Sequence, residues 1–408
     1  ETGVDEMNWD DLHDGEQDVW PSLEEVREYR FQVYNLVKGV IQVHPDLDEP
    51  ITMDKPTWAL AMAFEHERIH LETSSVLMRE LPIALVKEPK AWPPYLTAPV
   101  AAVSNPVSGR DYPNNELVEI TGGEARLGKP HSWPSFGWDN EYGHEKRQVT
   151  DFRTSKFLIS NGEFFEFVKS GGYEEKKHWS DSGWGWRQFR NVKWPTFWVQ
   201  DGPAGSNKFK LRSTFAELPM QWSWPAVVNF YEAKAYCHWL SEKEGVETPY
   251  RLLQESEHQA IRGPEIGKAS DWPAGGDSLL AYDQVMNSTE LYSINHNLRF
   301  GSEGAVDSFT ANDNGVYDAQ GNVWQWCEDA FHELPEFEIH PLYTDFSTPC
   351  FDGEHQMMLG GSFISTGDEA SIWARFQFRP HFFQHAGFRV TQEIAELTKK
   401  GDKYDTDA

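Results

Sequence analysis

The stretch "NDNGVYDAQGNVWQWCED", residues 312–329, decides how this chain is read. It begins with Asn, Asp and Gly, which favour tight turns, and closes on "NVWQW", whose indole rings need a core to fill. A turn-rich lead into a buried aromatic run describes a domain of irregular loops pinned by large side chains. The same pairing recurs in "WPSFGWDNEYG" (133–143) and "SDSGWGWRQFRNVKWPTFW" (180–198), and 18 Trp in a chain that is 14% aromatic extend it across the sequence. Around these segments, short β-like runs ("LVEITGG", "EARLG", "FLISNGEFFEFV") alternate with turns and with a helix over 224–245, "WPAVVNFYEAKAYCHWLSEKEG". The pattern predicts a mixed α+β domain.

The N-terminal part has a different character. In "SLEEVREYRF", Ser22 and Glu25 form a capping box, and Val26, Phe31, Val33, Tyr34, Val37 and Ile41 recur near helical spacing over 22–44. A second helix follows "MDKP", with Pro56 suited to its first turn, and runs through "TWALAMAFEHERIHLETSSVLMREL" to a stop at Pro82. Pro-rich "AWPPYLTAPVAAVSNPVSG" reads as a linker. The expected organisation is 1–90 helical, 91–112 linker, 113–395 α+β domain and 396–408 tail. Two helices cannot close a core, since a bundle takes about four. Their apolar stripes therefore need the second domain, or helices upstream of Glu1.

A net charge of -29 and a pI near 4.8 speak against nucleic-acid and anionic-membrane partners. No apolar run approaches the ~20 residues of a membrane span, and the N-terminus has no signal-peptide pattern; a soluble, cytoplasmic protein is expected. Cys237, Cys327 and Cys350 are too few and too scattered for a disulfide framework or a cysteine-built zinc site, which leaves reduced, buried thiols.

Within the second helix, "FEHERIHLET" (64–73) carries His66 and His70 one turn apart, about 40° around the axis, so both rings can reach one metal ion. Glu72 lies about 160° further round, which suits a supporting or helix-packing role rather than direct ligation. His66-Glu67-Arg68-Ile69-His70 also satisfies the zinc-protease pattern H-E-x-x-H. The longer metzincin form is missing, with Val76 where its third histidine belongs and no glycine before it. The bland reading is a solvated face, with Glu65, Glu67, Arg68 and Glu72 as charged neighbours.

"NDNGVYDAQGNVWQWCED", "MMLGGSFIS" (357–365) and "ARFQFRPHFFQHAGFRV" (374–390) follow "ITGGEARLG" (120–128), "ISNGEFFEFV" (159–168) and "ETPYRLLQESEHQAI" (247–261) in the order of the formylglycine-generating-enzyme-type domain. That domain is a loop-rich relative of C-type lectin folds. Joined to a helix bearing "HERIHLE", the arrangement resembles the nonheme iron sulfoxide synthases, which pair a DinB-like helical bundle with this domain. "GVDEMNWDDL", "FEHERIHLETSSVLMRELP", "LGKPHSWPSFGWDNEYG", "RQFRNVKWPTFWV" and "HPLYTDFSTPCFD" read most like the ovothiol-type members.

The resemblance implies an Fe(II)- and O2-dependent coupling of L-cysteine sulfur to an imidazole carbon of L-histidine, giving 5-histidylcysteine sulfoxide, the first step towards ovothiol. It implies iron held by three histidines: His66, His70, with Glu72 in support, and a third from an earlier helix. His13 and His44 are poorly placed for that role, so the third ligand is expected upstream of Glu1 and the chain reads as a fragment, which up to Ala408 leaves no room for the methyltransferase domain that such proteins often carry. Tyr343 in "HPLYTDF" falls where the family places its proton-handling tyrosine; its bland reading is a loop aromatic. Amino-acid substrates need a cation for each carboxylate. Arg375 and Arg379, with Phe382 and Phe383 as walls, are the candidates, although Arg375 can equally tie loops through Asp313 or Asp329. Cys327 and Cys350 lack the neighbouring cysteine pattern of the copper-binding oxidases and read as packed thiols.

Three alternatives stay open. The ergothioneine-type synthases act on trimethylhistidine and tend to carry glutamine directly before the second histidine, where this chain has Ile69. A zinc metalloprotease follows from the H-E-x-x-H pattern, and a non-catalytic lectin-like binding module from the second domain alone.

Overall fold

The computed structural model describes residues 21–394, apart from 48, 98–102, 132, 134, 204 and 263–293. The expected tail at 396–408, "GVDEMNWDDL" and His13 lie outside the described residues. The helices are α1 (Leu23–Val43), α2 (Trp58–Glu80), α3 (Asn161–Lys169), α4 (Asp181–Phe189), α5 (Phe230–Glu244) and α6 (Glu255–Arg262). The strands are short: β1 (Leu117–Ile120), β2 (Gly123–Leu127), β3 (Glu145–Val149), β4 (Phe152–Ser155), β5 (Trp198–Gln200), β6 (Phe209–Arg212), β7 (Glu217–Pro219), β8 (Trp324–Ala330), β9 (Gln356–Leu359), β10 (Phe376–Phe378), β11 (Ala386–Gly387) and β12 (Thr391–Glu393). Four small sheets result, in the orders β1-β4-β12, β10-β9-β8-β11, β2-β3 and β5-β6-β7. β12 closes onto β4 antiparallel, so the end of the domain is stitched to its beginning.

The "NVWQW" run behaves as its composition requires. Trp324 and Trp326 lie on β8, the second strand from the edge of the four-stranded sheet, and both are buried. Loops and short elements around them are held by local chemistry. Ser160 and Glu163 cap α3 reciprocally, and Asn229 and Glu232 do the same for α5. The Asn229 cap explains why α5 begins at Phe230 and not at Trp224. Residues before it run extended, with Ala226 N–H donating to Ile159 O and Val228 N–H to Ala386 O. "SDSGWGWRQF", read from sequence as loop, forms α4, because the Ser180 side chain caps Gly183 N–H and Trp186 finds a buried seat.

The N-terminal helices part company. α1 forms with its capping box, yet none of its residues is buried, and Leu23, Phe31, Tyr34 and Leu36 are exposed. α2 starts two residues after Pro56 and ends, as its sequence requires, before Pro82. Its Trp58, Ala61, Ile69 and Val76 join the main core cluster together with side chains of the α+β domain. The DinB-like bundle expected over 1–90 is therefore not seen among the described residues: α2 packs on the second domain, and α1 on nothing that buries it. The proline-rich segment is also less free than a linker, since Trp92 donates to Gly301 O and Leu96 N–H to Ser302 Oγ. No helix among the described residues is long and apolar enough to cross a membrane.

Candidate metal centre

α2 presents two chemically different faces. The buried one follows helical spacing through Trp58, Ala61, Glu65, Ile69, Glu72, Ser75, Val76 and Arg79. Half of that stripe is polar, and each polar group meets a partner from the second domain. Glu65 accepts from Asp368 N–H at 2.7 Å, Ser75 Oγ lies 2.7 Å from His385 Nε2, and Arg79 pairs with Glu303. Arg79 Nε also donates to Arg212 O, while Arg212 returns hydrogen bonds to the α2 carbonyls of Met78 and Arg79 and to that of Leu81, just past the helix end. A cation on the carbonyl end of a helix is favoured by the helix dipole.

Glu72 sits at the centre of this seam, 2% exposed. Its carboxylate accepts from Trp324 Nε1 at 2.7 Å, Ser362 Oγ at 2.6 Å and Ser365 Oγ at 2.7 Å. Burial pushes its pKa up and the three donors oppose that push. Its described contacts make Glu72 a clamp between α2 and β8.

The other face carries the histidines. The His66 and His70 rings are 4.5 Å apart between centroids, at 78° to one another, with His66 half-buried and His70 exposed. Burial and the neighbouring His70 hold His66 below the ordinary imidazole pKa, which keeps it in the neutral, ligating form. The Tyr343 hydroxyl lies 3.3 Å from His66 Nε2, and its ring stands edge-on to the imidazole. These two groups are 277 positions apart in sequence. Trp138 completes a wall: its ring is 6.5 Å from His66 and 6.3 Å from Tyr343, and it stacks on Phe346 at 4.0 Å.

Two imidazoles one turn apart supply part of the donor set that Fe(II) takes. Among the described residues no group of three His, Cys, Asp or Glu side chains can hold a metal ion, so the pair accounts for two of the three ligands implied by the resemblance. The residues present fit the metal that far.

The other anticipated residues are placed elsewhere. Arg375 is buried and donates to Glu255 Oε1 and Oε2 (2.7 and 3.2 Å), to Asn140 O (2.7 Å) and to His332 O (3.0 Å). It ties loops together, but through Glu255 rather than Asp313 or Asp329. Arg379 pairs with Glu354 and Asp352. Phe382 lies against Phe378 and His381, and Phe383 is buried against Trp186 and Phe197. None of these contacts reaches His66 or His70. Cys327 and Cys350 share a small apolar cluster with Phe331, Met357 and Leu359, and all three cysteines are buried and free.

Sequence reasoning missed Trp138, whose ring lies 6.3 Å from that of Tyr343, and Asp139, Asn140 and Ser347, which bond one another beside it. "GWDNEYG" reads as a turn and as part of the resemblance, with no role given to single residues; its partners lie some two hundred positions away, a separation that no local pattern reports.

Residues 104–394 match the Sulfatase-modifying factor enzyme 1-like domain, and the chain belongs to that family. Among curated proteins it is similar to "Hercynine oxygenase" of Mycolicibacterium smegmatis, 26% identical over 78% of this chain and 67% of that one. It is also similar to "Ergothioneine biosynthesis protein 1" of Schizosaccharomyces pombe, 22% identical over 95% of this chain and 45% of that protein. The "Formylglycine-generating enzyme" of Thermomonospora curvata is 23% identical over 61% of this chain and 82% of its own length. The chain thus spans about two thirds of the first relative and under half of the second.

Proposed function

We propose that the protein is a nonheme iron sulfoxide synthase, which joins a thiol sulfur to an imidazole carbon of a histidine-type acceptor. Written in balance, thiol, imidazole C–H and O2 give the C–S-coupled sulfoxide and one water; the S–H and C–H bonds break, and O2 takes four electrons. The single observation that carries this reading is the Tyr343 hydroxyl 3.3 Å from His66 Nε2, beside His70.

When bound, Fe(II) supplies O2 activation and a lowered thiol pKa. His66 and His70 would hold it, with a third ligand outside the described residues. Tyr343 would hold or move a proton at its hydroxyl, a role that needs hydrogen-bond reach first and that the 3.3 Å approach to His66 Nε2 supports. Trp138 and Phe346 pack against the Tyr343 ring. Glu67, the base of the zinc-protease reading, is exposed on α2.

For the acceptor, the relatives' names favour a trimethylated histidine, hercynine, over the L-histidine of the ovothiol-type reaction. Ile69 is the observation on the other side. It is buried in the core cluster where the ergothioneine-type enzymes tend to carry glutamine. The test is to load the protein with Fe(II), add cysteine and O2 with either hercynine or L-histidine, and read the products by mass spectrometry. Coupled sulfoxide from one acceptor is expected and identifies it; iron-loaded protein that couples neither refutes the proposal.

A further inference from the structure

Tyr343 sits on an irregular stretch between β8 and β9, whose regular structure is limited to one 3-10 turn at Thr348–Cys350. Its neighbours Ile339 and Leu342 are exposed. A tyrosine on such a loop keeps a fixed hydroxyl position only if the loop is anchored. Anchors stand three and four residues from it. On one side, His340 stacks on Trp58 of α2 at 3.4 Å and its Nε2 lies 3.0 Å from Met53 O. On the other, Phe346 stacks on Trp138, Ser347 Oγ donates to Asp139 Oδ1 at 2.5 Å, and Asn140 Nδ2 donates to Ser347 Oγ at 3.1 Å.

These groups are buried: Asp139 is 2% exposed, Asn140 1%, His340 3% and Ser347 0%. Desolvating four polar side chains costs free energy unless each is held by partners, and here the partners join two loops that meet beside His66. The clasp is itself braced, because Asn140 O takes a hydrogen bond from Arg375, whose guanidinium is paired with Glu255.

We propose that Asp139, Asn140, Ser347 and His340 are positioning residues, which hold the Tyr343 hydroxyl against His66. This rests on the proposed role of Tyr343. It also gives Arg375 a function, as the brace of the clasp rather than a contact to substrate. The loop is held from α2 on one side and from the 138–140 turn on the other. Releasing either hold lets the phenol leave hydrogen-bond reach, and displacement of a reacting group by about 1 Å can cost up to about a hundredfold in rate.

The test uses the full chain labelled with 3-fluorotyrosine, the Tyr343 signal being assigned by its loss in Tyr343→Phe. In metal-free protein, Ser347→Ala is expected to shift or broaden that 19F signal, whereas Asp139→Asn, which keeps an acceptor for Ser347, leaves it in place. With Fe(II), cysteine, acceptor and O2, Ser347→Ala and Tyr343→Phe are both expected to lower the ratio of coupled sulfoxide to oxidised thiol about tenfold, at unchanged iron content. Asn140→Ala, which removes the hydrogen bond to Ser347 Oγ, is read in the same way and stands in if Ser347→Ala does not fold. A 19F signal unmoved in Ser347→Ala and Asn140→Ala overturns the proposal. A moved signal in protein that couples neither acceptor supports the clasp and removes the proposed reaction instead.

Discussion

At the scale of the residue, burial decides what each charged side chain on α2 is for. Arg79 and Glu303 are each 1% exposed in their ion pair. Removing one partner of such a pair strands the other charge, so Arg79→Ala is expected to destabilise the protein by about 3–5 kcal/mol, read by urea denaturation. A loss under about 1 kcal/mol would show that the pair is hydrated. The same logic separates Arg375 from its anticipated role: four of its five N–H groups have protein partners. From sequence, Arg375 was legible as an arginine that needs an anion. Glu255 as that anion was not, because the two are 120 positions apart. His66 and His70 were legible because helical geometry alone brings residues four apart together. Tyr343 entered through resemblance, since nothing local marks a loop tyrosine as the neighbour of a helix so distant in the chain.

At the scale of the element, α2 depends on a close approach. It packs on the turn at Gly367–Ala370, where Gly367 has φ 65° and a Cβ would collide with Glu65 and Arg68. Gly367→Ala is therefore expected to cost about 1–3 kcal/mol, and to weaken metal binding as α2 shifts. Wild-type stability in a thermal melt would mean that the turn relaxes freely. α5 carries a second prediction. Glu232 closes the α5 capping box and accepts from Tyr173, and burial pushes it up to about 7. A carboxyl with a raised folded pKa favours the fold when protonated. That contribution is complete below the unfolded pKa near 4.5 and is lost as pH rises through about 7. Glu232→Gln should flatten the fall in denaturant midpoint between those limits; an unchanged pH profile would show Glu232 ionising in the fold as it does when unfolded. The capping box of α1 was readable as a four-residue pattern. α4 was not: Ser180 caps it locally, but the two glycines of "DSGWGW" weaken the helical signal and Trp186 needs its buried seat.

At the scale of the whole molecule, the division into a helical domain and an α+β domain dissolves at α2, which shares one core with β8. The aromatic loops were legible as a class from turn residues beside tryptophans, although one such stretch, "SDSGWGWRQF", forms α4. Their tertiary pairing was not, because it depends on contacts hundreds of positions apart. The open apolar flank of α1 follows from the count of helices, as two cannot enclose a core. What makes the molecule a candidate catalyst is the meeting of one α2 face with one loop of the second domain, His66 and His70 against Tyr343.

The most direct test is the iron content of the purified protein after anaerobic loading and desalting, for the wild type, His66→Ala, His70→Ala and Tyr343→Phe. Both histidine variants should retain at least about tenfold less iron than the wild type, and Tyr343→Phe should retain the wild-type amount. Wild-type iron in His66→Ala and His70→Ala would place the metal elsewhere and contradict the account.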